Sequence, residues 1–240
     1  AASLSEKGYG LEDQAERFVR WRSDGYMTPC GEVFDIGNAT SHALDRLEEG
    51  VPPAEAGGRG ERDNGNGGLM RVLPAALYFA FSPESFLFER IRETVSVTHG
   101  HRISVAASFL YVLTARYLYW GFSRMEAVTG AAVSAEKLLQ DGLSGYSDTL
   151  ELFRKILDGS VVQLPEEQIP SGGYVVDTLV ASLWCLLTTG SYRECVLKAV
   201  NLGGDTDTTA AAAGGLGGIF YGYEAIPVEW IETLAGKELI

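Results

Sequence analysis

The chain has 240 residues, 46% of them hydrophobic and 21% charged. That balance suits one domain spanning 1–240 with ample apolar side chains for a core. The formal net charge of -13 argues against non-specific binding to nucleic acid or to an anionic membrane surface. It leaves room for a small anionic ligand, because local amides or cations override the global sign. Cys30, Cys185 and Cys195 are an odd count without a CxxC pair. No disulfide framework follows, and a reducing cytoplasm is the expected location. No apolar stretch reaches the ~18 uninterrupted residues of a membrane span.

Ala1 to Gly8 has no basic-then-apolar order and reads as the tail of a helix that ends at the glycine. Asp13 to Trp21 has helical spacing at Ala15, Phe18 and Val19. Residues 25–31 form a loop, and a helix is expected from Asn38 to Glu49, stopping at Gly50. Pro52-Pro53 and Gly57-Gly58-Arg59-Gly60 mark an irregular stretch that runs into Asp63-Asn64-Gly65-Asn66-Gly67-Gly68. Leu69 to Phe81 reads as an apolar helix despite Pro74, and Pro83-Glu84 opens another. Further helices are expected over Val105–Tyr119, Met125–Gln140 and Ser147–Leu157. Ser160–Pro170 is a polar connector. Tyr174–Thr189, Ser191–Leu202 and Ala210–Tyr223 complete the helices. No run of period-two strands stands out, so the expected fold is all-α, an orthogonal multi-helix bundle.

The strongest chemical signal is Gly203-Gly204-Asp205-Thr206-Asp207-Thr208-Thr209, between one apolar helix and the next. Two carboxylates two residues apart, with hydroxyls beside them, form a cluster of hard oxygen donors. Such a cluster suits Mg²⁺, Mn²⁺ or Ca²⁺ better than softer metals. Twin glycines let the backbone turn sharply and approach a ligand. Helix capping is the competing reading, since Asp and Thr are favoured N-caps worth ~1 kcal/mol. Capping needs one such residue, whereas a second Asp adds repulsion that a cation relieves; the two roles can coexist. Asp205-x-Asp207-x-Thr209 also fits the DxDxT pattern of haloacid-dehalogenase-type phosphatases. That chemistry needs a preceding buried strand and a long downstream chain, and this sequence offers neither.

Behind the motif, Gly214, Gly218 and Gly222 recur at intervals of four, giving a smooth face for close packing. Asn64-Gly65-Asn66-Gly67-Gly68-Leu69-Met70-Arg71 leaves its amides unshielded, suited to a phosphate, although such a loop taken singly is weak evidence. Val97-Thr98-His99-Gly100-His101 is a polar interruption in which His99 either contacts a ligand or caps its neighbour.

Taken together and in this order, the Asn64–Arg71 segment, Thr98-His99 and Gly203–Thr208 resemble the ADP-ribosylglycohydrolase family. That family includes dinitrogenase-reductase-activating glycohydrolases and crystallin J1-like proteins. Gly173-Tyr174-Val175-Val176-Asp177-Thr178-Leu179 and Asp35-Ile36-Gly37-Asn38-Ala39-Thr40 are similar to two further family segments. The resemblance implies a hydrolase that removes ADP-ribose from protein side chains or ADP-ribose-containing small molecules, using two divalent cations, Mg²⁺ or Mn²⁺. It implies metal ligation by Asp205, Asp207 and Thr208, and a catalytic part for Asp205 and Asp207. It implies ligand binding by Asn64, Gly65, Asn66, Gly67 and His99, with Gly173 and Tyr174 at the adenosine end. The family's leading Gly-Asp helix start and its Thr-Asp-Asp-Thr-like segment have no counterpart here. The expectation is therefore a chain truncated at its N-terminus, its remaining ligands carried by a missing fragment. The alternative is an inactive ADP-ribose-binding or crystallin-like structural homologue.

Overall fold

The computed structural model describes residues 1–142 and 145–239. Its helices in chain order are α1 (Ala2–Lys7), α2 (Leu11–Asp24), α3 (Asn38–Glu48), α4 (Pro53–Ala56), α5 (Leu73–Tyr78), α6 (Glu84–Ser96) and α7 (Arg102–Tyr119). They continue with α8 (Arg124–Lys137), α9 (Arg154–Leu157), α10 (Val175–Thr188), α11 (Tyr192–Asn201), α12 (Thr206–Tyr221) and α13 (Val228–Thr233). The fold is all-α, an orthogonal multi-helix bundle, as the periodicity predicts. Among the described residues, β-type pairing is confined to two isolated bridges, Gly58 with His99 and Gly65 with Tyr174. Both fall in the segments that carry the chemical motifs. No described helix is long and apolar enough to cross a membrane.

The core forms around α7, whose Phe109, Leu110, Tyr111, Val112 and Leu113 are all essentially buried. A helix apolar on every face must be surrounded, and α7 packs against α5, α6, α8, α10 and α12. Each large apolar side chain so buried contributes ~1.5–3 kcal/mol. The helix α10 is almost as apolar, with Val175, Leu179, Leu183 and Leu186 buried. It lies between α7 and the α11–α12 pair.

Local chemistry moves several boundaries from their expected places. Residues 69–72 do not join a Leu69–Phe81 helix. Pro74 sits in the first turn of α5, where its missing N–H costs nothing, and its ring bars helix on its N-terminal side. Ser123 and Glu126 form a capping box that starts α8. The end of the expected Met125–Gln140 helix relaxes into a π-helical turn over Leu138–Gly142. Ser147–Leu157 divides into a 3₁₀ segment, Ser147–Phe153, and the short α9. The connector at 160–170 winds into two short 3₁₀ turns.

The smooth face on α12 also differs in detail. Gly214, Gly217 and Gly218 lie against Tyr192, Val196 and Cys195 of α11, as close helix approach requires. Gly215 is the tightest, pressed on Leu73 and the Tyr111 hydroxyl. Gly222 packs against nothing; with φ at 84° it ends the helix.

Candidate ligand and metal site

The glycine-rich loop is laced to the start of α10. The Asn66 backbone N–H donates to the Gly173 carbonyl (3.1 Å), and the Val175 N–H donates to the Asn64 carbonyl (3.0 Å). Asn64 and Asn66 are each only 8% exposed. The Asn66 side-chain amide donates to the Thr178 hydroxyl at 2.7 Å and to Asp205 Oδ2 at 2.8 Å. One amide therefore joins three segments that are far apart in sequence.

Asp205 is placed by its own turn. Gly203 and Gly204 take φ values of 76° and 65°, a region open to glycine at little cost. Gly204 lies flat against the Ser171 carbonyl, which also accepts the Asp205 backbone N–H at 2.8 Å. Asp205 occupies the N-cap position of α12 yet makes no capping hydrogen bond there. Its Oδ2 accepts from Asn66, and the Thr208 N–H and hydroxyl on the first turn of α12 also favour its ionised form. Burial pushes the Asp205 carboxyl up, but hydrogen bonds led by that from Asn66 outweigh it and hold the carboxyl below its ordinary value. Asp207 is exposed. Thr208 is 9% exposed, and its hydroxyl lies 3.9 Å from Met70 Sδ.

His99 lies directly behind the loop and is 2% exposed. A Cβ on Gly65 would stand 3.2 Å from His99 Nε2, and one on Gly67 would stand 2.8 Å from His99 Cε1. The absence of both side chains lets the loop cover the imidazole. Thr98 Oγ1 is 2.8 Å from His99 Nδ1 and accepts from an Arg71 guanidinium N–H at 2.6 Å. Burial, with help from the Arg71 charge, pushes the His99 imidazole down to about 3. The capping role falls to the other histidine: His101 Nδ1 accepts from the Ile103 N–H at the start of α7.

Gly173 faces Asp205 Oδ2, and the neighbouring Tyr174 is exposed over about a third of its surface. Asn64, Gly65, Asn66, Gly67, His99, Gly173, Tyr174 and Asp205 thus form one neighbourhood. Asp207 and Thr208 follow on the first turn of α12. An apolar cavity of about 390 Å³ opens on the Gly67 side, lined by Phe18, Trp21, Thr40, Gly67, Met70 and Arg71 among others. The carboxylates are not among its walls. Sequence reading assigned no role to Ser171, Thr178 or Arg71. Thr178 carried a signal, a hydroxyl inside an apolar helix one turn past the Gly-Gly pair; Ser171 carried none.

Two carboxylates and a hydroxyl at the head of α12 suit a hard divalent cation in kind. They do not suffice in number, since such ions take six or more oxygens. Among the described residues no group of three or more His, Cys, Asp or Glu is placed to hold a metal.

The sequence profile described as ADP-ribosylglycohydrolase matches residues 1–240. The chain is 32% identical over 242 residues to "ADP-ribosylarginine hydrolase Tri1" of Pseudomonas putida (strain GB-1), covering 99% of this chain and 60% of that protein. It is 29% identical to the ADP-ribosyl-(dinitrogen reductase) glycohydrolase of Rhodospirillum rubrum, covering 98% of this chain and 70% of that protein. A solved structure titled "ADP-ribosylglycohydrolase-related protein complex" superposes with a TM-score of 0.76 at 30% identity, covering 99% of this chain and 73% of that one. The chain thus spans about three fifths of the length of the Tri1 hydrolase.

Proposed function

The chain belongs to the ADP-ribosylglycohydrolase family, and from that premise we propose that it serves a hydrolase that releases ADP-ribose from modified protein side chains. The observation that carries this reading is the Asn66 amide, which ties the glycine-rich loop to Thr178 and Asp205. It sets the glycine-rich loop, in which Gly65 and Gly67 are partly exposed, beside the Asp205 carboxylate. A loop backbone bare of side chains at Gly65 and Gly67 suits the diphosphate of ADP-ribose. The exposed Tyr174 ring suits the adenosine end, and the carboxylates suit the sugar hydroxyls.

Hydrolysis at an anomeric carbon builds positive charge on the sugar ring. Asp205, held ionised by Asn66, offers negative charge to that centre. Asp207 and the Thr208 hydroxyl, with Asp205, would be this chain's share of the donors to Mg²⁺ or Mn²⁺, and further oxygens would have to complete the shell. Such ions, when bound, orient hydroxyls and acidify a water. The bond broken is N- or O-glycosidic, and a relative named for ADP-ribosylarginine favours the former. Three free cysteines, one of them exposed, accord with a cytoplasmic setting.

A second reading rests on the shortage of metal donors among the described residues: an ADP-ribose-binding protein without turnover. Calorimetric titration with ADP-ribose, with and without Mn²⁺, separates the two. Binding that requires the metal and is lost in Asp207→Ala supports the hydrolase site. Binding indifferent to metal supports the second reading. Failure to bind under either condition overturns both, and phosphate release from a phosphomonoester would restore the phosphatase alternative.

A further inference from the structure

We propose that Arg71 and Thr98 are positioning residues that lock His99 in one tautomer, with the proton on Nε2, and so present it as a neutral hydrogen-bond donor to a ligand phosphate at the glycine-rich loop. The inference rests on the ligand reading above and adds a named device to it.

Arg71 can only donate. It gives one N–H to the Gly67 carbonyl (2.9 Å) and, from the same nitrogen, reaches Thr98 Oγ1 at 2.6 Å. Its other terminal nitrogen donates to the Thr94 carbonyl at 3.1 Å. The Thr98 hydroxyl therefore acts as acceptor toward Arg71. Its own proton must go elsewhere, and Thr98 is 1% exposed. Among the described residues the one remaining partner in range is His99 Nδ1, at 2.8 Å. A buried hydroxyl proton without an acceptor is destabilising. The direction is thus Arg71 to Thr98 to His99, Nδ1 is the acceptor, and the ring proton sits on Nε2.

The opposite edge of the ring faces the glycine-rich loop. Nε2 donates to no protein acceptor among the described residues. The two glycines nearest it, Gly65 and Gly67, are where a side chain would block it. The Thr40 hydroxyl bounds the same space from α3, at 3.4 Å from where a Gly67 Cβ would stand. Burial beside Arg71 keeps the imidazole uncharged throughout the neutral range, so the donor does not vary with pH there. A neutral N–H beside Gly65 and Gly67 suits an anionic oxygen and needs no charge of its own.

The test is long-range ¹H–¹⁵N correlation on histidine-labelled protein, which reads the tautomer directly. The expected result is a protonated Nε2 and a bare Nδ1 on His99. A proton on Nδ1 in the wild-type protein overturns the proposal, whatever the ligand. In Thr98→Val the ring should shift toward a tautomer mixture and ADP-ribose binding should weaken about tenfold; Thr98→Ser should keep both within about twofold. Equal loss in both variants indicates a merely structural role and overturns the proposal. Adding ADP-ribose to wild-type protein should move the His99 Nε2–H signal. If ADP-ribose does not bind but inorganic pyrophosphate moves that signal, the donor assignment stands and the ADP-ribose reading fails. A signal unmoved by either at saturation overturns the donor role.

Discussion

The Asn66 amide and the Asp205 carboxylate meet at 2.8 Å although 139 residues of chain separate them. Asn66 is buried, and its remaining amide proton goes to Thr178, so both donors are used. Asn66→Ala should cost ~1–3 kcal/mol, because Thr178 and Asp205 lose a donor in a partly buried setting. Urea unfolding measures this. The variant should also raise the Asp205 pKa. In the native protein that carboxyl lies below its ordinary value of 3.8. Its stabilising effect is therefore complete above pH 3.8 and disappears as pH falls through the folded value. NMR titration of Asp205 in the variant should show the pKa moving up; an unchanged value would remove Asn66 as the cause.

Gly204 tests whether the twin-glycine turn places Asp205. Its φ of 65° is strained for any side chain, and a Cβ there would run into the Ser171 carbonyl that accepts the Asp205 N–H. Gly204→Ala should lower stability by ~1–3 kcal/mol and abolish metal-dependent ADP-ribose binding. Gly203→Ala has the same strain in φ but no such collision. It should be the milder of the two in both thermal unfolding and calorimetry. Equal effects would show that backbone strain alone governs the turn.

The helical frame was legible because burial writes a period into the sequence: α7, α10 and α12 are apolar in runs that admit little else. The acidic motif stood out because two acids separated by a single threonine after two glycines have few structural uses. Ser171 was not legible. It holds Asp205 through its backbone carbonyl, a group every residue has, while its hydroxyl adds only a bond to the Leu202 carbonyl at 3.3 Å. The depth of His99 was hidden too, since a histidine between polar neighbours reads alike on a surface or beneath a loop; only the fold shows three glycines lying on it. Pro74 misled for a local reason. The apolar spacing runs through it, but the ring permits helix on one side only.

Gly67→Ala should separate the loop's packing from its chemistry. The new methyl would stand 2.8 Å from His99 Cε1 and 3.4 Å from Thr40 Oγ1. Overpacking of this kind costs ~1–3 kcal/mol. The loop should lift from the imidazole, and ligand binding should fall at least tenfold. Gly214→Ala is the control: its methyl would press on Val196 Cγ2 at 3.3 Å on the far side of α12. Its cost, if any, should appear in unfolding and leave binding unchanged. Parallel loss of binding in both variants would mean that the loop has no special part.

The buried imidazole sets a pH dependence whose sign can be worked out. His99 titrates at about 3 in the folded protein, displaced downward by burial and by Arg71, and near 6.5 when unfolded. Between those values the unfolded chain binds a proton that the folded chain does not, so acid favours unfolding. The stabilisation is complete above pH 6.5 and declines as pH falls toward 3, by up to ~1.4 kcal/mol for each pH unit. Denaturant unfolding at stepped pH should show this slope in the wild type. His99→Gln, which cannot titrate, should be less stable at neutral pH yet have a flatter profile through that window. A variant with the wild-type slope would assign the acid sensitivity to other groups and would contradict a neutral, buried His99.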